Sequence, residues 1–191
     1  MLKENKTSIE SSTSTPDYED EEIQTVMDEN GNVLELRLLK SFRAKLSQTD
    51  DVAKAYYNEL KNYVLSYKGT HSRISWHYDA VKLGREHMLL KFSIRGKTLC
   101  VYYALDGETL DSKYKVEFAK SRKYADTPCQ YRIKNDRRVQ YAKELIDMVM
   151  GRINAVQGEI EHKNYALPRQ TSKALKEQGM IKEVRIRLGK K

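Results

Sequence analysis

Disulfide and metal-thiolate chemistry have little to work with in this chain. Its 191 residues hold two cysteines, Cys100 and Cys129, with no Cys-x-x-Cys spacing. That argues against a disulfide framework, a zinc ribbon or a dithiol redox pair. Both lie in strand-like segments, so buried reduced thiols are expected, with a disulfide between them left open. The four histidines, His71, His77, His87 and His162, show no metal spacing, and no Ser or Cys stands in a nucleophile context. A Gly-rich phosphate loop is also missing: Gly96 and Gly107 read as turn residues. No catalytic residue, metal or cofactor site is expected. Apolar runs are short, with 39% hydrophobic residues and a mean hydropathy of −0.75. None approaches the ~20 residues that a membrane span needs. The N-terminus, MLKENKTSIESSTSTPDYEDEE, lacks the apolar core of a secretory signal. These absences lead to the expectation of a cytoplasmic protein with no membrane partner. With 3 Phe and 1 Trp, burial of rings falls to 13 Tyr, whose hydroxyls can stay wet, so the core is expected to be real but thin.

Acid is scarce where base is plentiful. Residues 1–35 carry ten acids against Lys3 and Lys6, a net of −8, whereas residues 36–191 carry 33 Lys and Arg against 17 Asp and Glu, a net of +16. The overall +8 therefore hides a basic body with an acidic N-terminal arm. Such sorting points to nucleic acid, or a protein that handles it, as the partner.

The pattern along the chain predicts an α+β fold. Residues 1–21 combine Ser, Thr, Pro and acids and are expected to be disordered. Residues 22–153 form the α+β domain, 154–167 a linker, and 168–191 a basic helix–strand tail. Within the domain, Asn30-Gly31 between apolar stretches predicts a hairpin. Phe42, Ala44 and Leu46 alternate with Arg43 and Lys45 as in a half-buried strand. Thr49 or Asp50 then caps a helix whose stripe is Val52, Tyr56, Leu60, Tyr63, Val64 and Tyr67, with Lys54, Lys61 and Lys68 off it and Gly69 at its end. Strands are predicted over Arg73–Asp79, Met88–Arg95 and Leu99–Leu105, the last two joined by a turn at Gly96-Lys97. Tyr114–Phe118 and Cys129–Ile133 follow as further strands. Asn135 or Asp136 caps a second helix with the stripe Val139, Ala142, Leu145, Ile146, Val149, Met150 and Ile153. The sum is an antiparallel sheet of about five to six strands with two main helices against one face. The tail, a short helix stopped by Gly179 and a strand with Val184, Ile186 and Leu188, suits either a small winged module or one more strand on the main sheet.

Several stretches carry a resemblance. They are Ser41-Phe42-x-Ala44-Lys45-Leu46-x-Gln48, Tyr56-Tyr57-x-x-Leu60-Lys61-Asn62, Ser72-Arg73-Ile74-Ser75-Trp76, and Lys91-Phe92-x-Ile94-Arg95-Gly96-Lys97-Thr98-Leu99. They continue with Asp111-Ser112-Lys113-Tyr114, Tyr124-Ala125-Asp126-Thr127-Pro128 and Arg132-Ile133-Lys134-Asn135-Asp136-Arg137-Arg138. On these, residues 41–150 resemble a poorly characterised domain family of gram-positive gut bacteria, often present in tandem copies. The resemblance implies no transferable activity. The element order is also similar to helix–sheet–helix domains of the YjbR or YdhG type, a likeness of topology alone.

For function, the basic residues are the richest constellation. Lys91, Arg95 and Lys97 occupy one hairpin; Lys113, Lys115, Lys120, Arg122 and Lys123 surround the next strand; Arg132, Lys134, Arg137 and Arg138 straddle the last strand and the second helix. With strands paired in sequence, these groups line one open sheet face or its rim, with Tyr102, His77 and Ser75 between them. Cations for phosphates and rings for stacking are what nucleic-acid contact needs; the competing reading is a solvated outer face. Arg137-Arg138 oppose the positive end of a helix macrodipole, which hints at an anion there unless Asp136 offsets them. The acidic arm reads as a solubilising tail, or as a stand-in for nucleic acid over the basic face or on a partner's basic groove. The expectation is a non-enzymatic protein that binds nucleic acid or a nucleic-acid-loaded complex. Its sharpest form is a mobile-element inhibitor of an RNA-guided CRISPR nuclease that touches nuclease and DNA, an anti-CRISPR. Two alternatives stay open. One is a metal-dependent nuclease using Asp106, Asp111 or Glu117, whose spacings do not suit it. The other is a structural module that self-associates through strand edges.

Overall fold

Alternating strands and two striped helices assemble into two sheets. The computed structural model describes residues 22–27, 31 and 33–187. The acidic arm over 1–21, most of the Asn30-Gly31 turn and Leu188 lie outside the described residues. Strands β1 (Glu22–Met27) and β2 (Val33–Lys40) form the predicted hairpin. Helices α1 (Phe42–Gln48) and α2 (Asp51–Leu65) follow, then β3 (Thr70–Ile74), β4 (Asp79–Leu83), β5 (His87–Arg95) and β6 (Thr98–Tyr103). Next come β7 (Glu117–Phe118), β8 (Cys129–Ile133), α3 (Asp136–Arg152), α4 (Ser172–Glu177) and β9 (Ile181–Arg187). The main sheet is antiparallel, with strand order β3-β4-β5-β6-β8-β7. This is the expected α+β architecture.

One face of that sheet holds the core. Leu90, Phe92 and Ile94 of β5, Leu99, Val101 and Tyr103 of β6, and Tyr131 and Ile133 of β8 meet Tyr57, Leu60 and Val64 of α2 and Val139, Ala142, Leu145, Ile146, Val149 and Met150 of α3. Helix α3 is as predicted: Asn135 caps it, its side chain accepting from the Arg138 N–H at 3.0 Å. The β5–β6 turn is also as predicted, with Gly96 at φ +58° between paired Arg95 and Thr98.

Four readings of local pattern need correcting. Phe42–Leu46 is a helix, not a strand. Phe42 and Leu46 are one helical turn apart and face the core, while Ala44 enters a second cluster with Leu38, Leu175 and Ile181. A helix held between two apolar clusters imitates alternation, and the Ser41 hydroxyl caps it by accepting from the Ala44 N–H at 3.2 Å. The buried stripe of α2 is turned by about a residue: Ala53, Tyr57, Leu60, Lys61 and Val64 are inside, while Val52 is 58% exposed. Lys61 is drawn in because its ammonium donates to Asp79 at 2.7 Å and to the Tyr57 hydroxyl at 3.1 Å, while Tyr57 donates to Asp79 at 2.8 Å. Arg73–Asp79 is not one strand. The chain reverses at Ser75–Tyr78, where the Ser75 N–H donates to the Tyr78 carbonyl at 2.8 Å and its hydroxyl bonds the Tyr78 backbone in both directions. This opens β4, a strand missed in the sequence. Tyr114–Phe118 is mostly not a strand either. Asp111 caps a 3₁₀ turn over Ser112–Tyr114, Lys115 takes φ +49°, and only Glu117–Phe118 pairs with β8.

The C-terminal strand is neither a wing nor an addition to the main sheet. β9 pairs antiparallel with β2 and completes a separate sheet of order β1-β2-β9. Residues 154–167 have no helix or extended strand, yet they run along α2. Asn58 holds the Asn164 side chain and the Tyr165 N–H at 2.8 Å each, and Asn62 bonds the Lys163 backbone.

Candidate nucleic-acid interface

The outer face of the main sheet, opposite the helices, is divided in two. The connection between β7 and β8 folds back as a strap, residues 119–128, pinned at its neck where the Ala119 N–H donates to the Pro128 carbonyl at 2.8 Å. The strap lays Tyr124 flat on Tyr102 of β6, with ring centroids 3.6 Å apart and planes 2° apart. Tyr102 is fully buried, and burial pushes its hydroxyl well above the usual phenol range. Lys91 of β5 points outward into the same cover. Its ammonium donates to the Lys123 carbonyl at 2.8 Å, pairs with Asp126, and lies 4.6 Å from the Tyr78 ring centroid. The side chain is 3% exposed. Lys91 is therefore a structural lysine, and neither it nor Tyr102 faces a partner.

The other predicted cations scatter. Arg95, Lys97, Lys134, Arg137 and Arg138 share one end of the sheet, because Ile133 of β8 pairs with Leu99 just beyond the β5–β6 turn. Arg138 donates to the Arg132 carbonyl at 2.9 Å and packs over Tyr131; Arg137 donates to the Tyr141 hydroxyl at 2.9 Å. Asp136 stands in the first turn of α3 and accepts from the Tyr56 hydroxyl at 2.7 Å. The helix start thus has its own acid and cap, which removes the electrostatic hint of a bound anion. Arg132 pairs with Glu117 at 3.2 Å and Lys113 with Glu144 at 3.2 Å. Lys120, Arg122 and Lys123 ride on the strap, and Lys115 is exposed at the turn before β7. The twelve do not converge on one surface.

What the strap leaves open is the other half of the face. His71 and Arg73 alternate outward on β3, with Ser75 in the turn just beyond it; Lys82 and Ala80 stand beside the first two on β4; Arg85 lies in the following turn, and Met88 and Tyr78 close the ends. Together they line a groove of about 440 Å³ with no carboxylate in its wall. Among the described residues, the side chains of His71, Arg73, Lys82 and Arg85 have no hydrogen-bond or ion-pair partner. Exposed cations without a partner occur elsewhere among the described residues, Lys97, Lys115, Lys120 and Lys134 included; what sets these apart is that they line a concavity free of acid. The hairpin tip extends the positive field: Lys45 and Lys123 lie close enough to His77 to help hold its imidazole below its ordinary pKa, after the larger effect of lost hydration. Lys182 sits 4.5 Å from the Trp76 ring. Sequence reasoning missed Arg73, Lys82, Arg85 and His71 as a group, because it carried β3 through the hairpin and so placed no strand beside it. The spacing Ser75–Tyr78 between two short polar-alternating runs was the available signal.

Other chemistry-bearing groups are structurally committed. Asp106 and Asp111 cap 3₁₀ turns, and Glu117 is held by Arg132 and Gln130. Among the described residues no group of three or more His, Cys, Asp or Glu is placed to hold a metal ion, and no helix is long and apolar enough to cross a membrane. Both cysteines are free thiols, and burial pushes Cys129 up to about 11. No family model, curated protein or solved structure matches this chain.

Proposed function

We propose that the protein is a non-enzymatic binder of nucleic acid, free or held in a nucleoprotein complex, and that the groove on β3 and β4 is its contact surface. The observation that carries this is the acid-free groove with Arg73, Lys82 and Arg85 unpaired in its wall. Three unpaired cations in a concavity raise the local potential where a polyanion can follow the floor, and each phosphate neutralised releases counterions. The +16 body supplies long-range attraction, and the −8 arm supplies a competing anion on the same chain.

The reading predicts a steep salt response. Affinity for an oligonucleotide falls by an order of magnitude or more between about 50 and 200 mM salt, and the triple variant Arg73→Ala/Lys82→Ala/Arg85→Ala flattens that slope. A flat response in the natural protein, or a slope untouched by the triple variant, overturns the assignment of the groove. Pull-down from lysate with and without nuclease treatment separates free nucleic acid from a nucleoprotein such as an RNA-guided nuclease, the finer version in which the protein is an inhibitor. A catch that survives nuclease and the triple variant points to a surface other than this one.

A further inference from the structure

The groove on β3 and β4 is narrow. Its floor is the outer face of three neighbouring strands, which at the usual inter-strand spacing is about 10 Å across. Along it, groups come in rows set by register: His71 beside Lys82, then Arg73 beside Ala80, then Ser75 across the hairpin from Tyr78. Successive rows are two residues apart, about 7 Å at the strand rise, close to the step between phosphates of an extended strand. Ala80 of β4, small between Tyr78 of the preceding turn and Lys82, leaves the middle of the floor a hollow.

The aromatic end decides the class of ligand. Tyr78 lines the groove and is half-buried. It is also held still: Tyr124 packs at 6.0 Å between centroids and the Lys91 ammonium lies 4.6 Å from its centre. A fixed ring in the floor of a basic channel is a stacking platform, and stacking needs a base whose face is free. In a duplex the faces are already occupied by neighbouring pairs, and the backbones would rest on the groove rims with the ring beneath them unused.

We infer that the groove binds single-stranded nucleic acid, with neighbouring phosphates on Lys82 and Arg73 and a base stacked on Tyr78. This rests on the reading of the protein as a nucleic-acid binder and adds the strandedness and the role of the ring. Stacking also makes the site tolerant of sequence, because every base offers a π-face.

The test is fluorescence anisotropy of the full chain with single strands of ~12 nucleotides and a duplex of matching length, over a salt series. The variants are Tyr78→Leu, Tyr78→Phe and Arg73→Ala/Lys82→Ala. Leucine retains apolar packing against Tyr124 while removing the ring, and thermal melting confirms that each variant is folded. Single strands should bind about tenfold or more tighter than the duplex. Tyr78→Leu should weaken single-strand binding by roughly 5- to 150-fold and leave both the salt slope and the duplex affinity unchanged, with Tyr78→Phe restoring it. Arg73→Ala/Lys82→Ala should lower both affinities and reduce the single-strand salt slope by ~1.4. Equal affinity for the duplex, or a silent Tyr78→Leu beside a damaging Arg73→Ala/Lys82→Ala, removes the single-strand inference and leaves the nucleic-acid reading in place. No binding of any oligonucleotide removes both.

Discussion

Lys91 and Lys82 stand on neighbouring strands, point to the same side of the same sheet, and have opposite fates. Lys91 lies beneath the strap, 3% exposed, its charge met by a carbonyl, Asp126 and two tyrosine rings. Lys82 lines the open groove with no partner for its ammonium among the described residues. The two halves of the outer face differ because ten residues between β7 and β8 fold over one of them. A strand's polarity pattern tells which side of the sheet is polar; it does not tell whether that side is wet. Where a loop roofs a polar face, cations become structural ties, and where none does they remain available to a ligand.

The sharpest way to break the contrast is to remove the roof. Tyr124→Ala deletes a ring stacked on a fully buried Tyr102 and should cost about 3–5 kcal/mol in urea unfolding. It should also expose Cys100, which lies with Tyr102, Ala119 and Tyr124 in the strap cluster, to thiol reagents. Cys129 faces the helix-covered core, and with burial holding it near 11 it should stay unreactive until the protein unfolds. Labelling of both cysteines at equal rates would mean that the strap is not an independent cover.

Next in size is the tie itself. Lys91→Ala empties a buried site and leaves the Lys123 carbonyl without its donor. Because Asp126 is 49% exposed, the carboxylate left behind is largely rehydrated. The loss should therefore be about 1–3 kcal/mol, below the range of a fully buried pair. Lys91→Met, which keeps the aliphatic length, should recover part of it. Neither change should alter the salt slope of oligonucleotide binding. The groove gives the reverse pattern: Arg73→Ala, Lys82→Ala and Arg85→Ala should each shift stability by no more than ~0.5 kcal/mol, while together reducing the binding slope by about 2. A groove variant that destabilises like Lys91→Ala would erase the distinction between the halves.

The parts of this architecture that could be read from the chain are those where one signal acts alone. Helix α3 has a cap, a single stripe and one neighbouring sheet, and six of its seven predicted stripe residues are buried, with Ile153 half-buried at the C-cap. The β5–β6 hairpin has a glycine where the backbone demands positive φ. Misreadings arose where two environments meet on one element. Helix α1 serves two apolar clusters and so alternates like a strand; α2 turns about a residue because Lys61 finds Asp79, a partner eighteen positions away. The β3–β4 turn carries no Gly, Pro or Asn, only a serine that supplies both a donor and an acceptor. Missing that turn hid the groove, since Arg73 and Lys82 become neighbours only through the pairing of His71 with Lys82 and Arg73 with Ala80. Charge sorting marks the body as basic, but it does not show that Lys91, Arg132 and Lys113 are taken up by Asp126, Glu117 and Glu144, acids that act from other elements. Side chains divide in the same way: Tyr57, Lys61, Lys91, Tyr124 and Asp126 hold the fold, whereas Arg73 opens on the groove.

The smallest expected effect lies at the border of the two halves. His77, at the hairpin tip, has its pKa lowered first by loss of hydration and then by Lys123 of the strap and Lys45 of α1. A depressed folded-state value means that the unfolded chain takes up the proton first as pH falls. His77 therefore contributes full stability above about pH 6.5, and that contribution drains away on acidification from there down to its folded-state pKa. Removing a like charge weakens the depression, so Lys123→Ala should move the His77 titration upward in a proton NMR experiment while leaving it below an ordinary histidine, because the hydration effect persists. If Lys123→Ala leaves the titration where it was, the strap's cations do not reach the hairpin, and the positive field of the open groove ends at Arg73.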